Sequence, residues 1–175
     1  KKIIFLKDES EIKKYSTIFF TLDTPLNGIL GKPNTQYIED NLVSLFKIKS
    51  KKSIVYLTSQ VYPGFIAYIK KKYSKIDFSN LVYMVDTLKM GVAVKKFLLP
   101  EQLVFGGDAK HSKEIKKRFK FFRCKKYILT AKEAELLKLS INLNLFFNVT
   151  YANIVDTFSK ELGINYNKII PNLRN

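Results

Sequence analysis

The 175-residue chain has one cysteine, one histidine and seven glycines, and each scarcity closes a class of function. The single Cys124 leaves no internal disulfide and no multi-cysteine metal site, and points to a reducing, cytoplasmic compartment. None of the seven glycines forms GxGxxG or a Walker loop, so no phosphate-cradling fingerprint is present. No apolar run is long enough for a membrane span, and no secretory signal is visible. Arginine is scarce too: of 31 lysines and arginines only Arg118, Arg123 and Arg174 are arginines. That weakens the nucleic-acid reading which a net charge of +16 invites, because bidentate contacts to phosphate and guanine favour arginine. The excess of lysine, isoleucine and asparagine is what an AT-rich genome produces. Basic runs at 70–72 and 116–118 are expected at helix ends or solvated faces, and no specific nucleic-acid partner is expected.

What remains is a globular composition, 46% hydrophobic and 14% aromatic, in a chain long enough for one domain or one domain with an extension. It opens on Lys1 rather than methionine, which leads us to expect a processed product or a piece of something longer. Short β-rich apolar runs at 3–6, 17–22, 53–57, 81–84, 102–105 and 125–129 predict strands. Helical patterns lie between them at 8–15, 35–48, 63–73 and 112–121. Alternation of this kind implies crossover units, so the expected class is α/β, a partial Rossmann-like, mostly parallel sheet followed by a long helix. Two loops follow strands directly, DTPLNGILGKPN at 23–34 and TSQVYPG at 58–64, the positions where open α/β sheets bind ligands. The same residues also make ordinary turns.

The most informative stretch is 130–163, TAKEAELLKLSINLNLFFNVTYANIVDTFSKELG. Thr130 and Glu133 have capping-box spacing and Gly163 stands where a helix ends in the left-handed conformation. Between them Leu136, Leu139, Leu143, Phe146, Phe147 and Ile154 are among residues that leave almost no face free of hydrophobic side chains, so the helix is expected to be covered on most sides. Glu135, Lys138, Asn142 and Asn153 form a thin polar stripe, with Lys138 and Asn142 one turn apart. The step into this helix sets the expected boundary, 1–129 for the sheet domain and 130–175 for the helix and a following short helix.

The order of these pieces, a strand ending in TP, a strand ending in a YPG loop, a GG after a further strand, then EAELLKLSINLNLFFNVTYANI, resembles the UDP-glucose/GDP-mannose dehydrogenase family. The resemblance runs through most of the chain and implies the second part of an NAD-binding domain followed by the family's central dimerisation helix. It implies oxidation of the C6 alcohol of a UDP-sugar to a carboxylate, with NAD as cofactor and a homodimer formed through 130–162. On it, Lys138 is the lysine that stabilises negative charge on the substrate oxygen, and Asn142 positions a water or the reacting oxygen. Thr24 corresponds to a contact to the cofactor's phosphate or ribose, and Ser59 to the serine of the family's serine-threonine loop. Tyr62, Pro63 and Gly64 are similar to the YPG variant of enzymes acting on UDP-N-acetylhexosamines.

This chain also departs from the family's pattern. Gln60 stands where the family has threonine, and Val85 and Asp86 replace a proline-glutamate pair. Asp86 is then a general base acting through water on a shorter arm. Met90 replaces a glutamate or proline, and Lys89 keeps only the charge of an arginine. The family's glycine-rich turn and catalytic cysteine lie outside the matched portion, so the chain alone is expected to be inactive. Cys124 is expected to be structural and His111 to lie at the surface. The alternative is a divergent inactive relative acting as a dimerisation or binding module.

Overall fold

The computed structural model describes residues 3–29, 31–87 and 91–172. The chain forms two compact units, Lys1–Lys138 and Leu139–Asn175, so the first turns of the long helix belong with the sheet.

In the first unit the elements are β1 (Thr17–Phe20), a two-residue hairpin of β2 (Leu26–Asn27) and β3 (Lys32–Pro33), α1 (Thr35–Ile48), β4 (Ile54–Leu57), α2 (Phe65–Lys72), β5 (Leu81–Met84), α3 (Ala93–Leu98), β6 (Gln102–Gly106), α4 (Ser112–Arg118) and β7 (Lys125–Leu129). The helix α5 (Ala131–Glu161) starts here. The main sheet runs β1-β4-β5-β6-β7, with only the β5–β6 pairing antiparallel. The α/β class and the mostly parallel sheet therefore stand as the sequence implied.

Strand β4 is buried along its whole length, which is why SIVYL reads as a continuous apolar run rather than an alternation. Its alternate residues feed two layers. Ile54 and Tyr56 join Val82, Met84, Leu103, Phe105, Phe119 and Phe122 in an aromatic-rich core, with Cys124 half-buried against it. Burying one aromatic side chain of this kind stabilises by roughly 1.5–3 kcal/mol. Ile38, Leu42, Phe65, Ile66 and Ile69 of α1 and α2 are likewise buried. Lys72 and the Tyr73 hydroxyl both donate to the buried Glu39, at 2.7 and 3.2 Å, which ties α2 to α1. The basic run 70–72 closes the last turn of α2, where positive charge meets the helix's negative end.

Three expectations need correction. Residues 3–6 form no strand: no backbone ladder reaches them, and Ile3, Ile4 and Phe5 stay exposed. The run 8–15 closes as a 3-10 helix, Glu9–Lys14, and not as an α-helix. His111 is buried, not superficial, with Nε2 3.2 Å from Asn80 Oδ1. Two short elements stand outside those expectations: the β2–β3 hairpin, inside the loop at 23–34, and α3, in a stretch to which the sequence assigns no element.

The helix α5 has the termini its sequence announces. Thr130 N–H donates to Glu133 Oε2 at 2.8 Å and Glu133 N–H donates to Thr130 Oγ1 at 3.3 Å, a reciprocal capping box. At the other end Gly163 has φ 67°, Ile164 N–H donates to the Ser159 carbonyl and Gly163 N–H to that of Lys160, the paired bonds of a Schellman motif. The second unit holds the rest of this helix and two short 3-10 turns, Tyr166–Lys168 and Ile170–Asn172. Leu143, Leu145, Phe146, Phe147, Val149, Ile154 and Phe158 remain exposed, so no described residue supplies the cover expected for them.

Candidate active site

Strands β1, β4 and β5 are mutually parallel, so their carboxyl ends open on one edge, and the loops that leave them meet there. The segments 21–24, 58–60 and 84–87 line a cleft of about 780 Å³ together with Leu26 and Pro33 of the hairpin, Lys96, Phe97 and Lys138. Of the residues singled out in the sequence, Thr24, Ser59, Gln60, Asp86 and Lys138 all lie on this cleft. Asn142 lies four residues further along α5, in the second unit, with an exposed side chain. Lys89 and Met90 lie outside the described residues.

The loops are stapled to one another. Thr24 Oγ1 donates to the Gln60 carbonyl at 2.6 Å, Ser59 Oγ to the Leu22 carbonyl at 2.5 Å and Thr58 Oγ1 to the Phe20 carbonyl at 3.3 Å. The Tyr83 hydroxyl reaches the Ser59 carbonyl at 3.3 Å. Each hydroxyl has one proton and has used it on main chain, so toward a ligand Thr24 and Ser59 offer acceptor lone pairs only. Burial pushes the Tyr83 phenol well above its ordinary range, with the Glu135 and Asp86 carboxylates adding to the effect, so it remains a neutral donor.

The first turns of α5 reach the cleft from another direction. A close backbone approach sets their position: a Cβ on Gly106 would stand 2.4 Å from Ala134 Cβ and 3.0 Å from the Thr130 carbonyl oxygen. This is the physical content of the GG after β6. On the helix so placed, Lys138 Nζ donates to the Asp86 carbonyl, which fixes its ammonium on the cleft wall where β5 ends. Glu135, one turn earlier and fully buried, accepts from Gly64 N–H at 2.5 Å and from Ile66 N–H at 2.9 Å. Burial raises the affinity of its carboxylate for a proton, against the opposing pull of the Ile66, Gly64 and Phe65 amides. The polar stripe is thus two different things: a buried anchor at Glu135 and a cleft-facing cation at Lys138.

Among the described residues no group of three histidine, cysteine, aspartate or glutamate side chains is arranged to hold a metal, and no helix is long and apolar enough to cross a membrane. A fixed ammonium beside main-chain and side-chain oxygens suits stabilisation of a developing oxyanion.

No family model matches the chain. It is 29% identical over 163 residues to the UDP-glucose 6-dehydrogenase of Rickettsia conorii, which covers 89% of this chain and 37% of that protein. Over 163 residues it is 25% identical to the UDP-N-acetyl-D-mannosamine dehydrogenase of Methanocaldococcus jannaschii, covering 91% of this chain and 38% of the relative. The structure of a UDP-glucose dehydrogenase from Pyrobaculum islandicum superposes with a TM-score of 0.83 at 22% identity, over 97% of this chain and 41% of that one. The chain therefore spans less than half the length of these proteins, and over nearly all of its own length it resembles the nucleotide-sugar dehydrogenases in sequence and shares their Rossmann-like fold.

Proposed function

We propose that this chain is the central part of an NAD-dependent nucleotide-sugar 6-dehydrogenase, which oxidises the C6 alcohol of a UDP-sugar to a carboxylate. The observation that carries the reading is Lys138, an ammonium held on the wall of the cleft at the carboxyl ends of β1, β4 and β5. In this role it stabilises negative charge on the substrate oxygen as the C6 hydrogen leaves. Asp86, half-buried at the end of β5, serves as a general base through a water.

The cleft fits one end of a dinucleotide. Its volume is in the range of small-molecule sites, Leu22, Met84 and Phe97 offer apolar surface to a flat ring, and Thr24 and Ser59 offer acceptors to ribose hydroxyls, with Gln60 beside them. NAD, when bound, supplies the hydride acceptor. The chain's own residues orient the sugar, exclude water and hold the charge. The reading places the protein in the cytoplasm, and it assigns the exposed apolar face of 143–158 to contact with a second copy.

The test is UDP-glucose- and UDP-N-acetylmannosamine-dependent NADH formation by the whole gene product, wild type against Lys138→Ala. Removing one oxyanion donor costs about 100-fold or more in kcat. Equal rates in the two proteins would take Lys138 out of the mechanism. The homodimer is checked by sedimentation, where a monomer at micromolar concentration would contradict it.

A further inference from the structure

Glu135 is a fully buried carboxylate close to the cleft, and the reaction proposed above gives it no task. An uncompensated carboxylate in that position would be strongly unfavourable, so its partners show why it is tolerated. Both oxygens accept from main-chain amides, Gly64 N–H at 2.5 Å and Ile66 N–H at 2.9 Å. These amides belong to the amino end of α2, where Gly64 is the N-cap residue at φ 95° and contributes no side-chain cap. A helix whose own N-cap has no side chain leaves its first amides without partners, and here an anion from another helix meets them and also complements the helix dipole. The bond therefore joins elements 69 and 71 residues apart in sequence.

Both ends of this bond lie beside cleft residues. Gly64 ends the loop that begins with Ser59 and Gln60, and Lys138 follows Glu135 by three residues, one turn along the same helix face. We infer that Glu135 is a positioning residue: as the N-cap of α2 supplied from α5, it fixes the register of the helix bearing Lys138 against the 59–64 loop. The inference rests on the dehydrogenase reading for its catalytic consequence, but not for its geometry. Misplacing a reacting group by about 1 Å costs on the order of 100-fold in rate, so a lever of this length is sufficient to matter.

The substitution that isolates the effect is Glu135→Gln, which keeps the shape but turns one acceptor oxygen into an NH₂ group facing an amide donor. In the whole gene product, under conditions where every variant is folded by circular dichroism, Glu135→Gln lowers kcat at least tenfold while KM for NAD changes less than threefold. A purely structural residue would lower the unfolding midpoint and leave kcat per folded molecule unchanged, and that result would overturn the inference. In a Lys138→Ala background Glu135→Gln adds no further loss, because its effect runs through the lysine; additive losses would also overturn it. Gly64→Ala supplies an independent perturbation of the same joint, since the added Cβ meets open space but the φ of 95° is strained for alanine, and it gives the same kcat loss. Amide exchange separates this inference from the functional reading. A wild type with no dehydrogenase activity refutes the reading, whereas faster exchange at Gly64 and Ile66 in Glu135→Gln still supports the anchor and unchanged exchange refutes it.

Discussion

Gly106→Ala tests whether the placement of α5 is set by backbone contact with β6. The added Cβ would lie 2.4 Å from Ala134 Cβ, 3.0 Å from the Thr130 carbonyl oxygen and 3.1 Å from Ala131 Cα. Ordinary carbon–carbon contact is about 3.5–4.0 Å, so the shortest of these must open by more than about 1 Å. None of the three atoms belongs to a side chain that can swing away, so the first turn of α5 has to move as a unit. Overpacking of this kind costs about 1–3 kcal/mol. With a urea dependence of about 1–3 kcal/mol per molar, the unfolding midpoint falls by roughly 1 M. Gly107→Ala is the control, because its Cβ would meet Val82 Cγ2 at 3.5 Å, an ordinary contact, and no positive φ opposes it. The same displacement carries Lys138 with it, so kcat of the whole gene product falls more steeply than its stability. Ala134→Gly in the Gly106→Ala background relieves the shortest contact and restores part of the midpoint, despite about 1 kcal/mol lost to glycine within a helix. Midpoints that coincide for Gly106→Ala and Gly107→Ala would refute the argument.

Two further outcomes follow from buried polar groups. Burial first, and then the charge of Lys110, hold the His111 imidazolium below its ordinary value of 6.5, with Asp108 opposing and Lys70 adding a little. The unfolded chain then binds the proton more readily, so stability is intact above about pH 6.5 and falls as the pH drops through the lowered folded value; His111→Gln flattens that slope in unfolding titrations, and an unchanged slope would count against it. The Tyr56 phenol is buried with its hydroxyl unpaired among the described residues, and burial, chiefly, pushes its pKa up to about 12. Tyr56→Phe removes an unsatisfied group, so the thermal midpoint stays level or rises; a loss of more than about 1 kcal/mol would reveal a hydrogen bond that matters.

The sequence made the regular parts of this fold legible because local signals and tertiary demands agree there. The run 81–84 and the run 125–129 are strands with those bounds, and 35–48 is a helix with those bounds, because apolar period, β-branching and the Asn34 cap all point the same way. Residues 3–6 carry the same β-rich signal without a partner strand, and propensity alone does not make a ladder. His111 is buried where the sequence predicts a surface position, because one histidine between polar neighbours says nothing about Asn80, 31 residues away, which meets it. The cleft was legible at the level of its loops, since ligand sites in parallel sheets follow strand ends. Its internal wiring was not. The stripe of Glu135 and Lys138 looks uniform as spacing, and only the approach of α2 to one turn and of the 84–87 segment to the next divides it into anchor and cation.

That wiring changes what Thr24 and Ser59 can do. Read from the chain alone, Thr24 meets a phosphate or a ribose, but its proton and that of Ser59 are already committed to the Gln60 and Leu22 carbonyls. A phosphate needs donors, whereas a ribose hydroxyl can donate to either side chain, so on the dehydrogenase reading proposed above the arrangement favours ribose contact. It also makes Ser59 chiefly a joint between the β1 and β4 loops. Ser59→Ala strands the Leu22 carbonyl that Ser59 meets, at a cost of about 1–3 kcal/mol if that carbonyl finds no water. The outcome we expect is a lowered urea midpoint with an NAD dissociation constant raised by less than about fivefold, a loss of the size of one neutral hydrogen bond. Isothermal calorimetry on the whole gene product measures the second quantity. A dissociation constant raised more than about fiftyfold at an unchanged midpoint would mean that Ser59 binds the cofactor as a donor, and that the joint with Leu22 opens when the cofactor arrives.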